Sequence, residues 1–432
     1  MKRLLPVFFA SFAIFSAAQA DPFCGALGVK DQLPSKFQKR GPFYSDTTSG
    51  WIIGDDQLRA DFALTTEAKS LLRQIVSEFA MQGVTLAVMT APPRPLFAPA
   101  AVRREMGLPS TYDEQTVADA FSGYIAELNE LGIKAPNLLP IALEEAADYY
   151  FRRDTHWTPF GAAISAAALA KMLDSNSPAS IAALLLTEDY AEKGSLSMVT
   201  KAACGTRPEP EMVKAPAYTK RGDANALLSD VSAPAVALIG TSFSDRYQRD
   251  AYRVADAIAH FTGTQVDNMS VTGGGITGAM ETFIRSGDLA SGKYKTVVWE
   301  APYTAPLSDV GALRQILGAL LSQRGASIGN DTAEVSDRWV NIKPAFELAK
   351  GAAVEIHLPG ISVGQLDVEF YDADKNKARL KLRKSDRVDP SLRSDVWSIA
   401  LSDLPINGVT RMKLRLRGAD APMMAKLTLL AP

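Results

Sequence analysis

Cysteine and histidine are nearly missing from this chain, with 2 and 3 residues respectively among 432. Cys24, Cys204, His156, His260 and His357 are scattered and show none of the short spacings that metal sites use. The sequence therefore calls for no metal and no cofactor. A surplus of basic charge is lacking too: 46 Lys and Arg stand against 48 Asp and Glu, a net charge of -2. That balance excludes a general nucleic-acid binder, which should be strongly basic. Beyond residue 20, no segment approaches the roughly 20 uninterrupted apolar residues that a membrane-spanning helix needs.

The first twenty residues, MKRLLPVFFASFAIFSAAQA, hold a basic start (Lys2, Arg3), a short apolar run and small residues at Ala18 and Ala20. This is the pattern of a cleavable secretory leader rather than a membrane anchor. Cys24 does not directly follow the small-residue site, which excludes a lipoprotein. Cleavage removes two positive charges and no negative one, so the mature chain is more acidic. In an oxidising compartment the cysteine pair reads as one disulfide, Cys24 to Cys204. Closing so long a loop is typically worth about 2–4 kcal/mol.

Length suggests two domains. Between about 50 and 325, apolar runs such as VTLAVMT (84–90), AVALIGT (235–241) and KTVVWEAP (295–302) alternate with helical patterns at 67–82 and 312–325. Such alternation predicts an α/β domain with a mainly parallel sheet, whose buried strands read as continuous apolar runs. After about 330 the period changes to two, with turn residues between short segments. An all-β sandwich or jelly roll is expected at 335–432, after an α/β domain at 21–330. GNDTAEVSD (329–337) reads as the linker.

His156 stands in RRDTHWTPFG (152–161). Thr158 as N-cap and Pro159 at the first helical position predict a helix start just after it. Asp154 is near enough to orient the imidazole and leave its other nitrogen free as a base. Alone, Asp-x-His is weak, and a surface histidine beside a chance aspartate accounts for it better. LIGTSFSD (238–245) supplies a nucleophile: Ser242 follows an apolar strand and Gly240, at the carboxyl edge where open α/β sheets place their sites. Ser244 competes with it, and an ordinary turn remains an alternative. In NMSVTGGG (268–275) a glycine, Gly274 among them, is placed to offer an N–H to an oxyanion or simply to satisfy a loop. Tyr303, past the strand ending at Trp299, either donates to substrate or packs.

The order DTHW, GTSFS, glycine-rich turn and VWEAPY resembles the SGNH-like acetyltransferases of alginate O-acetylation, the AlgX/AlgJ family. In SGNH hydrolases Asp and His usually follow the serine; the permuted order seen here is a feature of this family. WIIGDD (51–56) matches a further landmark, and the β-module brings the chain nearest the AlgX branch, in which it binds carbohydrate. A second cysteine pair of that branch is absent, which points to a divergent relative. The resemblance implies a periplasmic enzyme with Asp154, His156 and Ser242 as catalytic residues and Tyr247 as a further pocket tyrosine. It implies acetyl transfer through an acetyl-serine to an exopolysaccharide hydroxyl. The partners are the polymer, membrane-bound machinery that delivers the acetyl donor, and export-complex proteins.

Two C-terminal stretches carry a pattern of their own. Lys377, Arg379, Lys381 and Arg383 alternate with apolar residues, as do Arg411, Lys413 and Arg415. Side chains alternate across a strand, so each stretch presents a cationic row on one face. Cross-strand pairing with Asp367 and Glu369 neutralises part of it; the remainder suits a groove for a polyanionic sugar. Competing readings are an acetylesterase, with water as acceptor, and a non-catalytic carbohydrate-binding scaffold.

Overall fold

The structure is a computed structural model and describes residues 22–145, 148–174, 180–218, 235–245, 251–345, 348 and 351–431. The expected leader at 1–20 and Tyr247 lie outside these residues. No helix among them is long and apolar enough to cross a membrane.

Four strands, Thr85–Met89 (β1), Ala235–Ile239 (β2), Val266–Asn268 (β3) and Tyr294–Glu300 (β4), form a parallel sheet. Their spatial order is β1-β4-β2-β3. The helices that support the sheet and its loops include Thr66–Met81 (α1), Pro159–Leu173 (α2), Ser195–Cys204 (α3), Val254–Thr262 (α4), Gly275–Arg285 (α5) and Val310–Ser322 (α6). Alternate strand residues serve two cores. Val88, Ala237, Ile239, Val297 and Trp299 pack with Leu71, Phe283 and Leu313 of α1, α5 and α6. Ala87, Met89, Val236, Leu238 and Val298 pack with Ile164 of α2 and Ile258 of α4. Both faces of the sheet are thus covered, which explains why its strands lack a polar side.

The helix expected after His156 is α2. The Thr158 hydroxyl accepts the Gly161 N–H at 3.0 Å and Pro159 opens the first turn. Its alanines are buried almost all round, and their small size lets α2 lie close against α4.

The C-terminal strands are Ser327–Val335 (β5), Val340–Ile342 (β6), Ala353–His357 (β7), Gly364–Tyr371 (β8), Lys377–Lys384 (β9), Val396–Ala400 (β10), Arg411–Leu416 (β11) and Met423–Leu430 (β12). They build two four-stranded antiparallel sheets, β6-β11-β8-β9 and β10-β7-β12-β5, around one apolar core. The stretch expected as a linker is corrected here: most of it is β5, an edge strand paired along β12. Edge strands are commonly polar, and that polarity made the segment read as a connection.

Helix α6 joins the two units. A Cβ at Gly318 would lie 2.6 Å from the Ile399 nitrogen, so only glycine permits this approach of helix to sheet. Arg314, fully buried, donates to the carbonyls of Ala400 (2.8 Å) and Ser402 (2.6 Å) and to Glu67 of α1 (2.6 Å). Burial lowers its pKa while Glu67 opposes that shift. Losing any of these acceptors leaves a buried charge poorly matched, which is strongly destabilising.

Candidate active site

Strand β2 ends at Ile239, and the chain turns through Gly240 to Ser242. Glu300, the last residue of the neighbouring strand β4, organises this turn. Its carboxyl accepts the Thr241 N–H at 2.7 Å and the Thr241 hydroxyl at 3.0 Å. The same hydroxyl accepts the Phe243 N–H at 3.3 Å. Thr241's carbonyl takes the N–H groups of Ser244 and Asp245 at 3.1 and 2.9 Å. Among the described residues the N–H of Ser242 has no such acceptor, so it is available to a developing oxyanion. Ser242 is partly exposed whereas Ser244 is buried, which separates the two candidates.

The Ser242 hydroxyl lies 2.8 Å from Nε2 of His156. Nδ1 of His156 meets the carboxylate of Asp154. Asp154 is fully buried and also accepts the backbone N–H of His156 at 2.9 Å and that of Ser195. Ser195 is the first residue of α3, so the carboxylate faces the positive end of a helix dipole. The imidazole is held between Phe243, edge-on at 4.7 Å, and Tyr252, stacked at 5.3 Å. The indole of Trp157 donates to the Phe243 carbonyl at 2.9 Å. The motifs DTHW and GTSFS, far apart in sequence, are therefore tied twice.

Two devices hold the segment before Asp154. Arg94, fully buried, stacks 4.8 Å from Trp51 and donates to the carbonyls of Ile52 (2.8 Å), Phe151 (2.9 Å) and Arg152 (2.5 Å). This gives WIIGDD its physical purpose as a floor for the loop carrying Asp154. Burial lowers the pKa of Arg94, and Tyr303 is the first of several groups opposing that. At the far end of α3, Cys204 is disulfide-bonded to Cys24, as expected.

The looser expectations fare differently. The N–H of Gly274 bonds the Val271 carbonyl at 3.0 Å, closing a turn before α5, so it is committed and cannot serve an oxyanion. Tyr303 packs in the core; its buried hydroxyl donates to the Gln57 carbonyl at 3.3 Å and does not face substrate. Sequence reasoning passed over Glu300, Arg94, Ser195 and Tyr252. Glu300 carried a signal, as a carboxylate directly after the apolar run Val297-Val298-Trp299; the others act through three-dimensional proximity alone.

On the β-sandwich, Lys377, Arg379, Lys381 and Arg383 point outward from edge strand β9 while the intervening residues are buried. Central strand β8 sets Asp367 and Glu369 between β9 and β11. Asp367 binds Arg417 at 2.6 Å and lies 3.8 Å from Arg379; Glu369 lies 3.5 Å from Lys377. Arg411 and Lys413 sit over the Tyr371 ring at 4.1 and 5.2 Å, and Arg415 pairs with Asp337 at 2.9 Å. Lys381 and Arg383 have no acidic partner among the described residues. Both line a cavity of about 450 Å³ with Lys377 and Arg379, and another of about 500 Å³ with Gly273 and Gly274. A third cavity, about 610 Å³, is bounded by Asp245, Thr272 and Arg387. No group of His, Cys, Asp and Glu is gathered to hold a metal ion among the described residues.

Residues 48–303, more than half of the chain, match the family model described as an SGNH hydrolase-like domain, acetyltransferase AlgX. The alginate biosynthesis protein AlgX of Pseudomonas aeruginosa is 26% identical over 404 residues, covering 87% of this chain and 81% of that protein. AlgX of Pseudomonas syringae is 26% identical over 318 residues, 71% of this chain but only 64% of the relative's length. A probable alginate O-acetylase, AlgJ of P. aeruginosa, is 25% identical over 67% of this chain and 76% of its own. The solved structure of P. aeruginosa AlgX superposes with a TM-score of 0.70, at 21% identity, covering 95% of this chain and 100% of the other. This last likeness concerns the fold. With its permuted motif order, parallel sheet and appended sandwich, the chain belongs to the AlgX family of SGNH hydrolase-like acetyltransferase domains.

Proposed function

We propose that this protein is a periplasmic O-acetyltransferase that acetylates hydroxyls of an exopolysaccharide, alginate or a related uronic-acid polymer. The observation that carries the reading is the hydrogen-bonded chain Asp154–His156–Ser242, with a Ser242 N–H that has no acceptor among the described residues. His156 takes the proton of Ser242 as its oxygen attacks the acetyl carbonyl of a donor ester. The tetrahedral oxyanion gathers on the Ser242 N–H, the ester oxygen leaves with the proton from His156, and acetyl-serine remains. A sugar hydroxyl then gives its proton to His156 and attacks the acetyl-serine. Collapse returns the proton to the Ser242 oxygen and releases the acetylated sugar. Asp154 keeps the imidazole in the required tautomer throughout. The donor arrives from membrane-bound acetylation machinery, and export-complex proteins are further partners.

The polymer is held by the outward face of β9 and β11 (Lys377, Arg379, Lys381, Arg383, Arg411, Lys413 and Arg415), where fixed cations exceed their acidic neighbours. Relatives named as alginate biosynthesis proteins and probable alginate O-acetylases support a uronic-acid acceptor. The 21–330 and 335–432 segments then act as transferase and carbohydrate-binding modules of one exported chain.

The deciding experiment incubates purified protein with an activated acetyl ester and an oligouronate, with Ser242→Ala as control. Acetyl on Ser242 by mass spectrometry and acetylated sugar, both abolished in S242A, are expected. Free acetate without acetylated sugar makes the protein an esterase. Equal product from both proteins removes Ser242 from the chemistry.

A further inference from the structure

Glu300 takes no part in the proposed proton transfers, yet no side chain is more closely built into the nucleophile turn. It is fully buried at the end of a central strand, and its carboxyl oxygens converge on the N–H and hydroxyl of Thr241. Gly240 makes room for it: a Cβ there would stand 2.6 Å from the Glu300 carboxyl oxygen and 3.1 Å from the Ser270 hydroxyl. The groups facing it from the packed elements are Thr241 and Ser244 of the turn, Ser270 of the following loop, and the Tyr150 phenol. Among the described residues none of these is a cation. A carboxylate buried without a cation is costly, and structural hydrogen bonds to Thr241 could have been made by a glutamine.

We propose that Glu300 is a positioning residue that acts through Thr241 to set the Ser242 hydroxyl and N–H, and that it does so best as the neutral acid. The physical argument concerns charge. Attack by Ser242 builds negative charge one residue away from the Thr241 N–H that Glu300 holds. A neutral carboxyl keeps the turn in place without opposing that charge; an ionised one keeps the turn but repels the oxyanion across a medium of low dielectric. Burial raises the Glu300 pKa to about 7, with the Thr241 bonds opposing, so the two forms exchange near neutrality. Activity then carries a falling limb above neutrality that belongs to Glu300.

This inference rests on the proposed acyl transfer, and its test separates the two. The rate of Ser242 modification is followed with an activated acetyl ester and, independently, with a fluorophosphonate, across about pH 6 to 8.5. Wild type is compared with Glu300→Gln, which preserves shape and cannot ionise. The rest of the site is the same in both, so the ratio of variant to wild type isolates Glu300. That ratio is expected to rise about tenfold from the acidic to the alkaline end, with Glu300→Leu slow at every pH because the Thr241 N–H loses its acceptor. A flat ratio overturns the role of Glu300 even if Ser242 is acylated; absence of any Ser242 modification in wild type overturns the acyl-transfer reading instead. Should E300Q not fold, infrared difference spectra of wild type decide. Loss of a protonated-carboxyl band over the same interval as the rate supports the inference, and no such loss sinks it.

Discussion

Trp157 and Phe243 are joined by an indole N–H to carbonyl hydrogen bond of 2.9 Å, parallel to the one between their neighbours His156 and Ser242. Each links positions 86 apart in sequence. The first is buried and structural; the second is placed for proton transfer. Trp157→Phe keeps an aromatic ring but removes the indole N–H and part of the buried volume, leaving the Phe243 carbonyl without its donor. A loss of about 1–3 kcal/mol in unfolding free energy is expected, with slower Ser242 acylation, measured by urea denaturation and single-turnover labelling. Unchanged stability would mean that the bond is not formed in solution.

Asp154 fixes the imidazole by accepting at Nδ1. Asp154→Asn preserves size but offers an amide, which favours the wrong tautomer. A fall of about 10⁴ in acylation rate is expected by analogy with the serine-protease triad, with circular dichroism unaltered. A drop of less than tenfold would leave Asp154 as a purely structural carboxylate.

Glu300 also predicts a dependence of stability on pH. Its pKa is raised from 4.5 to about 7 in the folded protein. The native state therefore binds more protons than the unfolded chain across that window, and its stability falls as pH rises from about 4.5 to 7. The loss, complete above the folded value, is about 3 kcal/mol. Glu300→Gln should gain on wild type by about that amount over the same window and no further above it. Parallel curves of unfolding free energy against pH would refute this.

The disulfide anchors the end of α3 opposite the one that holds Asp154. Replacing Cys24 and Cys204 by serine should lower stability by about 2–4 kcal/mol. Hydrogen exchange of the amides in α3 should accelerate more than that of β2. Uniform acceleration throughout would mean that the bond stabilises the whole chain without favouring the site.

Lys381 and Arg383 lack acidic partners among the described residues, unlike Arg415 and Lys377. Reversing both to glutamate should weaken binding of an oligomannuronate by at least about tenfold and flatten its salt dependence, while Arg415→Glu, already paired, should cost less. Equal effects at all three positions would place the polymer elsewhere.

The α/β domain was legible because the buried parts of parallel strands have to be apolar, as 235–239 and 297–299 are. The meeting of His156 and Ser242 was legible because Thr158-Pro159 marks a helix start and Gly-Thr-Ser follows a strand. What stayed hidden depends on pairing across distance. Nothing local in GNDTAEVSD announces an edge strand, since its partner β12 supplies the order. Gly274 and Tyr303 have the right residue types at the right sheet edge, yet the Gly274 N–H is taken by Val271 and the Tyr303 hydroxyl by Gln57. Residue type marks what a group can do; only the neighbours decide whether it is free to do it.

Helix α6 leaves the β-sandwich no slack. With Gly318 flush against Ile399 and Arg314 bonded to the carbonyls of Ala400 in β10 and Ser402 just beyond it, the sandwich is held directly against α6. On the proposed function, a polymer gripped there would meet Ser242 at one constant offset, counted in sugar units rather than averaged over a flexible tether. Acetyl groups should accordingly fall at a preferred distance from the chain end or from the previous mark, a spacing written by the protein itself.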